Sequence, residues 1–311
     1  MREGGLKASV KSLFRREHKQ VVAVEGATFD LAKGEIVGFL GPNGAGKTTT
    51  LKMLSGLLYP DSGLVDVLGH EPFRREPAFL RRISLVAGNR TSFAWDLPAH
   101  DSFLLLKALY GVPTVDFNRR RDQFIELLDL GDIVSKPVRN LSLGERMKVE
   151  LAGQLLHAPE VLFLDEPTLG LDLTMQKRLR SFVRTYNEEY GATVLLTSHY
   201  MIDVVELCPR VMVIHRGRLH YDGGLAGLTS RFATYKTITI VGSGFPDRLD
   251  NQGTVIDRQI DRITLRVAPD QVGPVVSHLL ATVKVDDLNI EDPPIEEVIE
   301  QVFAEAGAET E

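Results

Sequence analysis

The sequence has almost no cysteine: Cys208 is the single one in 311 residues. No intramolecular disulfide framework is possible, and a reducing compartment is expected. Long apolar runs are missing too. None approaches the roughly 18 residues that a membrane-spanning helix needs, and Met1 to Gln20 carries basic residues without the apolar core of a signal peptide. Excess basic charge is lacking, the net charge being −6, so nothing global invites nucleic acid and none is expected as a partner. Internal repeats, low-complexity tracts and heptad runs are absent, which excludes a coiled coil. These absences describe a cytosolic protein whose membrane role, if it has one, comes through a partner. What is present is ordinary for a soluble globular chain, 43% hydrophobic and 25% charged. The length suffices for one large domain and a smaller one.

One stretch organises the rest: Gly41-Pro42-Asn43-Gly44-Ala45-Gly46-Lys47-Thr48-Thr49. It follows the apolar, strand-like run Glu35 to Leu40 and precedes the helix-like spacing of Thr50 to Leu57. Strand, glycine turn and helix in that order make G-x-x-x-x-G-K-[ST] a phosphate-binding loop. A triphosphate needs converging backbone N–H donors, and side chains at the turn block that approach. Gly41, Gly44 and Gly46 remove Cβ and permit positive φ. The following helix adds partial positive charge at its N-terminus. Lys47 is expected to reach the β- and γ-phosphates, and the Thr48 hydroxyl to ligate Mg²⁺.

The first twenty residues, with Lys7, Lys11, Arg15, Arg16 and Lys19, read as a solvated leading segment. Strands are expected at Val21–Val24, Ala27–Leu31 and again at Leu64–Gly69. From about Arg90 to Lys136 the apolar spacing turns helical, an insert within an α/β domain. Ser142 and Glu145 have the spacing of a capping box, opening a helix that runs to about Ala158. Val161 to Glu166 is apolar on both faces and ends in two carboxylates, as a central strand of a parallel sheet does. Asp165 can hold Mg²⁺ through its water shell, and Glu166 can position and polarise an attacking water. Another strand, Ala192 to Thr197, ends at Ser198-His199. Past about Leu228 the texture shifts to period-two alternation at Thr237–Val241 and Arg262–Val267, separated by polar turn sequence. A helix is expected over Asp270–Ala281 and a strand over Val283–Ile290. The last helix carries a stripe of Ile295, Val298, Ile299, Val302 and Phe303.

Taken in order, these motifs resemble the ATP-binding subunit of an ABC transporter. Gly41 to Thr48 is similar to Walker A, Leu141 to Glu145 to the signature, and Leu162 to Glu166 to Walker B. Pro167 to Asp172 looks like the D-loop, Ser198-His199 like the switch histidine, and Phe14 like the aromatic that stacks on adenine. Asn89 stands where the family usually has the Q-loop glutamine. It is shorter by one methylene, about 1.5 Å of reach. Leu143 and Glu145 stand where the family often has Gly and Gln, and Glu145 cannot donate as an amide does.

The resemblance implies a P-loop NTPase cassette over residues 1–228. Its parts are a RecA-like parallel core, an N-terminal antiparallel β subdomain and a helical insert and signature helix over about 90–155. A small α+β accessory domain spans 229–311. It implies ATP and Mg²⁺ as cofactors and a head-to-tail homodimer, each ATP lying between Lys47 of one copy and Ser142 and Gly144 of the other. Glu166 and His199 are then catalytic. Gly41, Pro42, Asn43, Gly44, Ala45, Gly46, Lys47, Thr48 and Thr49 hold the nucleotide, with Phe14, Ser142, Gly144, Glu145 and Asp172. Thr48, Asp165 and Asn89 face the metal. The stretch Asn89 to Pro98, with Gly144-Glu145-Arg146-Met147-Lys148, resembles ATPases paired with ABC-2-type permeases, many of them drug, xenobiotic or polysaccharide exporters. Such a subunit sits on the cytoplasmic side of the membrane and meets the permease near Asn89–Phe103, where Trp95 lies. Soluble ABC ATPases of translation carry two cassettes in one chain, and repair types split theirs around a coiled coil. Neither pattern occurs here, and the Trp95 region disfavours an importer.

Overall fold

The structure, a computed structural model, describes residues 22–88, 91–246 and 253–308. The elements of the larger part are β1 (Ile36–Leu40), α1 (Lys47–Leu54), α2 (Pro77–Leu80), β2 (Ile83–Ala87), α3 (Ala99–Tyr110), α4 (Thr114–Leu128), α5 (Leu143–Leu155), β3 (Val161–Asp165), α6 (Leu173–Tyr190), β4 (Thr193–Thr197), α7 (Met201–Leu207), β5 (Arg210–His215), β6 (Arg218–Gly224) and α8 (Leu225–Phe232). The smaller part has β7 (Lys236–Ser243), β8 (Thr254–Arg258), β9 (Arg262–Val267), α9 (Val272–Thr282), β10 (Lys284–Glu291) and α10 (Ile295–Ala308).

Among the described residues, six strands form the main sheet in the order β2-β3-β4-β1-β5-β6. All neighbours are parallel except β6, which returns antiparallel beside β5. The registers Ala87↔Asp165 and Asp165↔Thr197 bring the C-terminal ends of β2, β3 and β4 level. In an open α/β sheet that edge is where ligands bind. The strands are apolar throughout because helices cover both faces, yet a period of two survives inside the apolar runs. Phe163, Leu195 and Phe39 pack in one cluster with Leu51 of α1. Leu162, Leu164, Val194 and Leu196 pack in the other, with Val149 and Leu151 of α5 and Phe182 and Val183 of α6.

The helical insert forms as expected, with its limits fixed by backbone chemistry. Pro98 and Pro113 stand immediately before α3 and α4, where proline's missing N–H costs nothing. Gly111 and Asp129 end them at φ 66° and 53°. Buried Lys148 of α5 donates to the Leu128 and Asp129 carbonyls at 2.9 and 3.1 Å, satisfying acceptors that the end of α4 leaves open.

Among the described residues, none of the expected strands over 22–24, Ala27–Leu31 and Leu64–Gly69 forms. Over 22–35 the chain makes one isolated bridge, Gly26 with Arg218, and around Leu64–Gly69 one more, Val67 with His70. Apolar and polar residues do alternate over Ala27–Leu31, and Phe29 and Leu31 pack on the sheet's core. Alternation records which side faces the core; it does not supply a neighbouring strand. The Glu25 and Gly26 N–H groups turn instead to the Gly217 carbonyl, at 3.0 and 3.1 Å.

The small sheet runs β10-β7-β9-β8, all antiparallel. Ile238, Ile240, Ile263 and Leu265 face Val275 and Leu279 of α9. Edge strand β8 occupies sequence that reads as turn, and every residue of it is exposed, so no apolar alternation marks it. The stripe on α10 is buried, but against the larger part. Its Val298, Ile299 and Val302 join the main core, and the Phe303 ring lies 5.9 Å from that of His215 at the end of β5.

Candidate nucleotide site

The glycine loop leaves β1 and enters α1 at the level edge of the sheet. Its three glycines are needed for two different reasons. A Cβ on Gly41 would stand 2.3 Å from the Ile214 carbonyl oxygen, and one on Gly46 2.5 Å from that of Ala23. Gly44 has open space around it but φ +81°, a left-handed conformation that side chains disfavour. Gly46 is the N-cap of α1 and offers no side-chain acceptor, so the first N–H groups of that helix are left for a ligand. The Lys47 ammonium arches over the loop, donating to the Gly41 and Pro42 carbonyls at 2.6 and 3.2 Å. Burial lowers its pKa, and the charges of Glu166 and Asp165 oppose that. Ala45 is buried and tied to the β5–β6 turn by the Gly217 N–H at 2.9 Å, while Asn43 is exposed and Pro42 and Thr49 are half-buried.

Two carboxylates meet the loop from β3. Asp165 accepts from the Thr48 hydroxyl at 2.9 Å and from the Thr197 hydroxyl at 2.9 Å. Glu166 adopts φ 55°, rare for a residue with a Cβ. The turn is pinned by its N–H donating to the Thr197 carbonyl and hydroxyl, both at 3.1 Å. Its carboxylate lies 2.8 Å from His199 Nε2, with both groups partly open to solvent. Thr48, Asp165 and Glu166 line one cleft of about 410 Å³. A hydroxyl and a carboxylate side by side suit Mg²⁺, which takes few protein oxygens and completes its shell with water and phosphate. A carboxylate backed by imidazole suits orientation of water.

The structure therefore brings Lys47, Thr48, Asp165, Glu166 and His199 together. Ser142, Gly144 and Glu145 are not among the residues lining that cleft. They form the exposed N-terminus of α5, beside Leu171 and Met175. The capping box is complete: Glu145 N–H donates to Ser142 Oγ at 3.2 Å, and Ser142 N–H to Glu145 Oε2 at 2.8 Å. Those hydrogen bonds to Ser142 hold the Glu145 pKa below its ordinary value. Ser142 Oγ accepts in this box, which leaves its own proton to give. Asp172 caps α6, accepting from the Met175 N–H at 2.9 Å. Phe14 and Asn89 lie outside the described residues.

Two functional residues escape sequence reasoning. Thr197 orients Asp165 and Glu166 together; a polar residue closing an apolar strand beside Ser198-His199 was the available signal. Asp203 of α7, 1% exposed, accepts from Ser198 Oγ at 2.7 Å, from Arg180 Nη1 at 2.7 Å and from Thr168 Oγ1. It ties the loop after Glu166 to the loop that carries His199. Nothing in an isolated acidic residue on a short helix announces this. Asp203→Ala should cost about 3 kcal/mol or more, because it strands buried Arg180 and two hydroxyls. Urea unfolding measures it, and a loss under about 1 kcal/mol would contradict that bracket.

Comparison with known proteins gives the family. Residues 24–169 match the ABC transporter family, and residues 234–291 match the C-terminal domain of EvrA-like ABC transporters. The ABC transporter ATP-binding protein NatA of Bacillus subtilis (strain 168) is 34% identical over 69% of this chain and 87% of its own length. The bacitracin transport ATP-binding protein BcrA of Bacillus licheniformis is 31% identical over 87% and 85%. A solved ATP-binding subunit of an ABC transporter superposes with a TM-score of 0.63 at 26% identity, covering 68% of this chain and 87% of that one. The chain belongs to the ABC transporter family. It is an ATP-binding subunit of that family, an ATPase with a P-loop cassette fold and a small C-terminal α+β unit. Subunits of this class dimerise and work with separate membrane permeases. No helix among the described residues is long and apolar enough to cross a membrane itself.

Proposed function

We propose that two copies of this chain close head to tail on two ATP molecules with Mg²⁺, and that closing and reopening drive a separate ABC-2-type permease. In this reading the cargo is a drug, xenobiotic, lipid or polysaccharide, and the chain works at the cytoplasmic side of the membrane. The observation that carries it is the division of the site. Lys47, Thr48, Asp165, Glu166 and His199 share one sheet edge, while Ser142 offers a hydroxyl proton at an exposed helix N-terminus outside the cleft that Thr48, Asp165 and Glu166 line. An exposed helix N-terminus that is capped on its own side by Glu145 and still has a hydroxyl proton to give suits a γ-phosphate held by a second copy. Closure is then rewarded only while that phosphate is attached, and hydrolysis reopens the pair.

Glu166 orients and deprotonates water, His199 holds Glu166 and the γ-phosphate side, Lys47 meets the β- and γ-phosphates, and Thr48 and Asp165 hold Mg²⁺. Phe14 stacking on adenine and Asn89 facing the metal belong to the same reading, as do contacts from Glu145 and Asp172. Permease contact near Asn89–Phe103 is supported by the way Trp95 is presented. Trp95 is 49% exposed, its indole braced by the Arg146 guanidinium at 4.5 Å, and its backbone carbonyl accepts from the Arg139 N–H at 2.9 Å. An exposed aromatic held rigid from behind suits an interface. Export is favoured by relatives that include the bacitracin protein above and the linearmycin resistance ATP-binding protein LnrL of Bacillus subtilis, 32% identical over 74% of this chain and 73% of its own. Residues 1–228 then act as the cassette and 229–311 as the accessory domain, with α10 packed back on the cassette as a strut.

The chain suits a thiol test, because burial pushes the Cys208 thiol up to about 12 and leaves it inert. With Asn43→Cys and Ser142→Cys in one chain, a short thiol cross-linker should join two copies when ATP is present and leave them separate without it. ATP-independent linkage, or none, counts against the head-to-tail pair. Tagged protein isolated from detergent-solubilised membranes should bring down one or two permease chains, and Trp95→Ala should lose them. Reproducible recovery of ribosomes instead would favour a soluble role.

A further inference from the structure

Strand β5 stands between the last helix and the glycine loop. On one face, Val211 and Val213 share a core cluster with Val298, Ile299 and Val302 of α10, and the helix packs on this strand and on α8. His215 continues that face, because side chains alternate along a strand, and it takes the Phe303 ring at 5.9 Å. Burial, and then the charges of Arg216 and His220, holds the imidazole below its usual pKa. Its Nδ1 is buried without a hydrogen-bond partner among the described residues, so packing holds that side of the ring. On the other face, Met212 and Ile214 share a cluster with Ala45 of the loop and Leu51 of α1.

The end of β5 also touches the loop through its backbone, at two points. The Ile214 carbonyl oxygen packs so closely on Gly41 that a Cβ there would stand 2.3 Å from it. The Gly217 N–H donates to the Ala45 carbonyl at 2.9 Å. His215 lies between those two contacts in the sequence. Gly217 has little slack of its own: at φ 77°, a Cβ on it would stand 2.7 Å from the Glu25 nitrogen. From its other side α10 is gripped by the accessory unit, where Glu297 accepts from Tyr235 and, at 3.4 Å, from Arg266 of β9.

We propose that Phe303 and His215 are positioning residues for nucleotide binding: docking of α10 fixes the end of β5 and, through Ile214 and Gly217, the shape of the loop that receives ATP. This rests on the reading that the loop around Lys47 holds the phosphates. Docked and released α10 are the two states that a coupling of this kind needs. With α10 docked, the loop is shaped before nucleotide arrives. With α10 released, only a fraction of chains holds the loop in that shape, and the apparent affinity falls by that fraction. Once ATP is bound the loop is shaped either way, so the chemical step is untouched. The accessory unit thereby sets how much ATP the cassette needs, acting through β5.

The test uses the full chain. Phe303→Ala should weaken Mg·ATP binding roughly three- to thirtyfold, the range for residues that modulate a coupling, and raise KM alike, while kcat at saturation stays within about twofold. Hydrogen exchange at the Gly217 amide should quicken in the nucleotide-free chain. Phe303→Leu, which keeps an apolar side chain, should fold and show the same effects more weakly. His215→Ala should act like Phe303→Ala, and the double variant should lose no more than the stronger single. Val275→Ala, in α9 against the small sheet, should lower the melting temperature and leave ATP affinity native. Coupling is reciprocal, so Mg·ATP should slow exchange of the Val302 and Phe303 amides in the native chain by a comparable factor. Native affinity in both Phe303 variants, unchanged exchange at Gly217, α10 amides indifferent to Mg·ATP, losses that add, or equal weakening by Val275→Ala would overturn the proposal. A native chain that binds no ATP sinks the functional reading instead, and the Gly217 exchange comparison then still decides whether α10 holds the turn.

Discussion

Glu166→Gln is expected to reduce ATP turnover by about 10²- to 10⁴-fold, the range for losing a positioned general base, while ATP still binds. The substitution keeps the size of the side chain and so keeps the backbone at φ 55°, where the Thr197 contacts to the N–H hold it. The amide oxygen can still accept from His199, which lies 2.8 Å from the carboxylate in the native chain. What it cannot do is take a proton from water. The γ-phosphate therefore stays attached, and the closed pair should accumulate. Phosphate release measures the first effect, and gel filtration with and without ATP the second. Turnover at the native rate would remove Glu166 from the reaction. Slow turnover without an ATP-dependent dimer would keep the catalytic role and reject the clasp between copies.

The same residues explain how much of the site is legible in the sequence. Phosphate chemistry demands a residue type at each place: no Cβ at Gly41 and Gly46, an amine at Lys47, a hydroxyl at Thr48, and carboxylates where β3 ends. A chemical demand of that kind is written in the residues themselves. Burial is legible for a similar reason, since Leu162 and Phe163 alternate faces of the sheet as their strand dictates. Partnership is not. The run Ala27–Leu31 alternates and packs but pairs with no strand among the described residues, and β8 pairs without alternating. The stripe of α10 announces a buried face without saying which core receives it. Asp203 and Thr197 are invisible because their importance lies in whom they touch across the fold.

Lys47→Ala is expected to weaken ATP binding by about a hundredfold or more. A hydrogen bond to a charged group is worth about 1.5–3 kcal/mol, and tenfold in affinity is about 1.4 kcal/mol. Two such bonds to phosphate oxygens already exceed a hundredfold. The lysine is well placed to give that much. It is 6% exposed, and its ammonium satisfies itself on the Gly41 and Pro42 carbonyls at the mouth of the loop. Those neutral acceptors are exchanged for phosphate oxygens at little cost in reorganisation. The pKa argument runs the same way. Burial draws the ammonium down and Glu166 and Asp165 sustain it, so an arriving polyanion strengthens the charged form. Titration calorimetry with Mg·ATP provides the measurement, and retained micromolar affinity would contradict a phosphate role for the loop. Misfolding is a poor alternative explanation for a loss. Alanine is the better helix former at the first position of α1. The melting temperature should therefore stay within a few degrees of the native chain, leaving lost binding to be assigned to the ammonium itself.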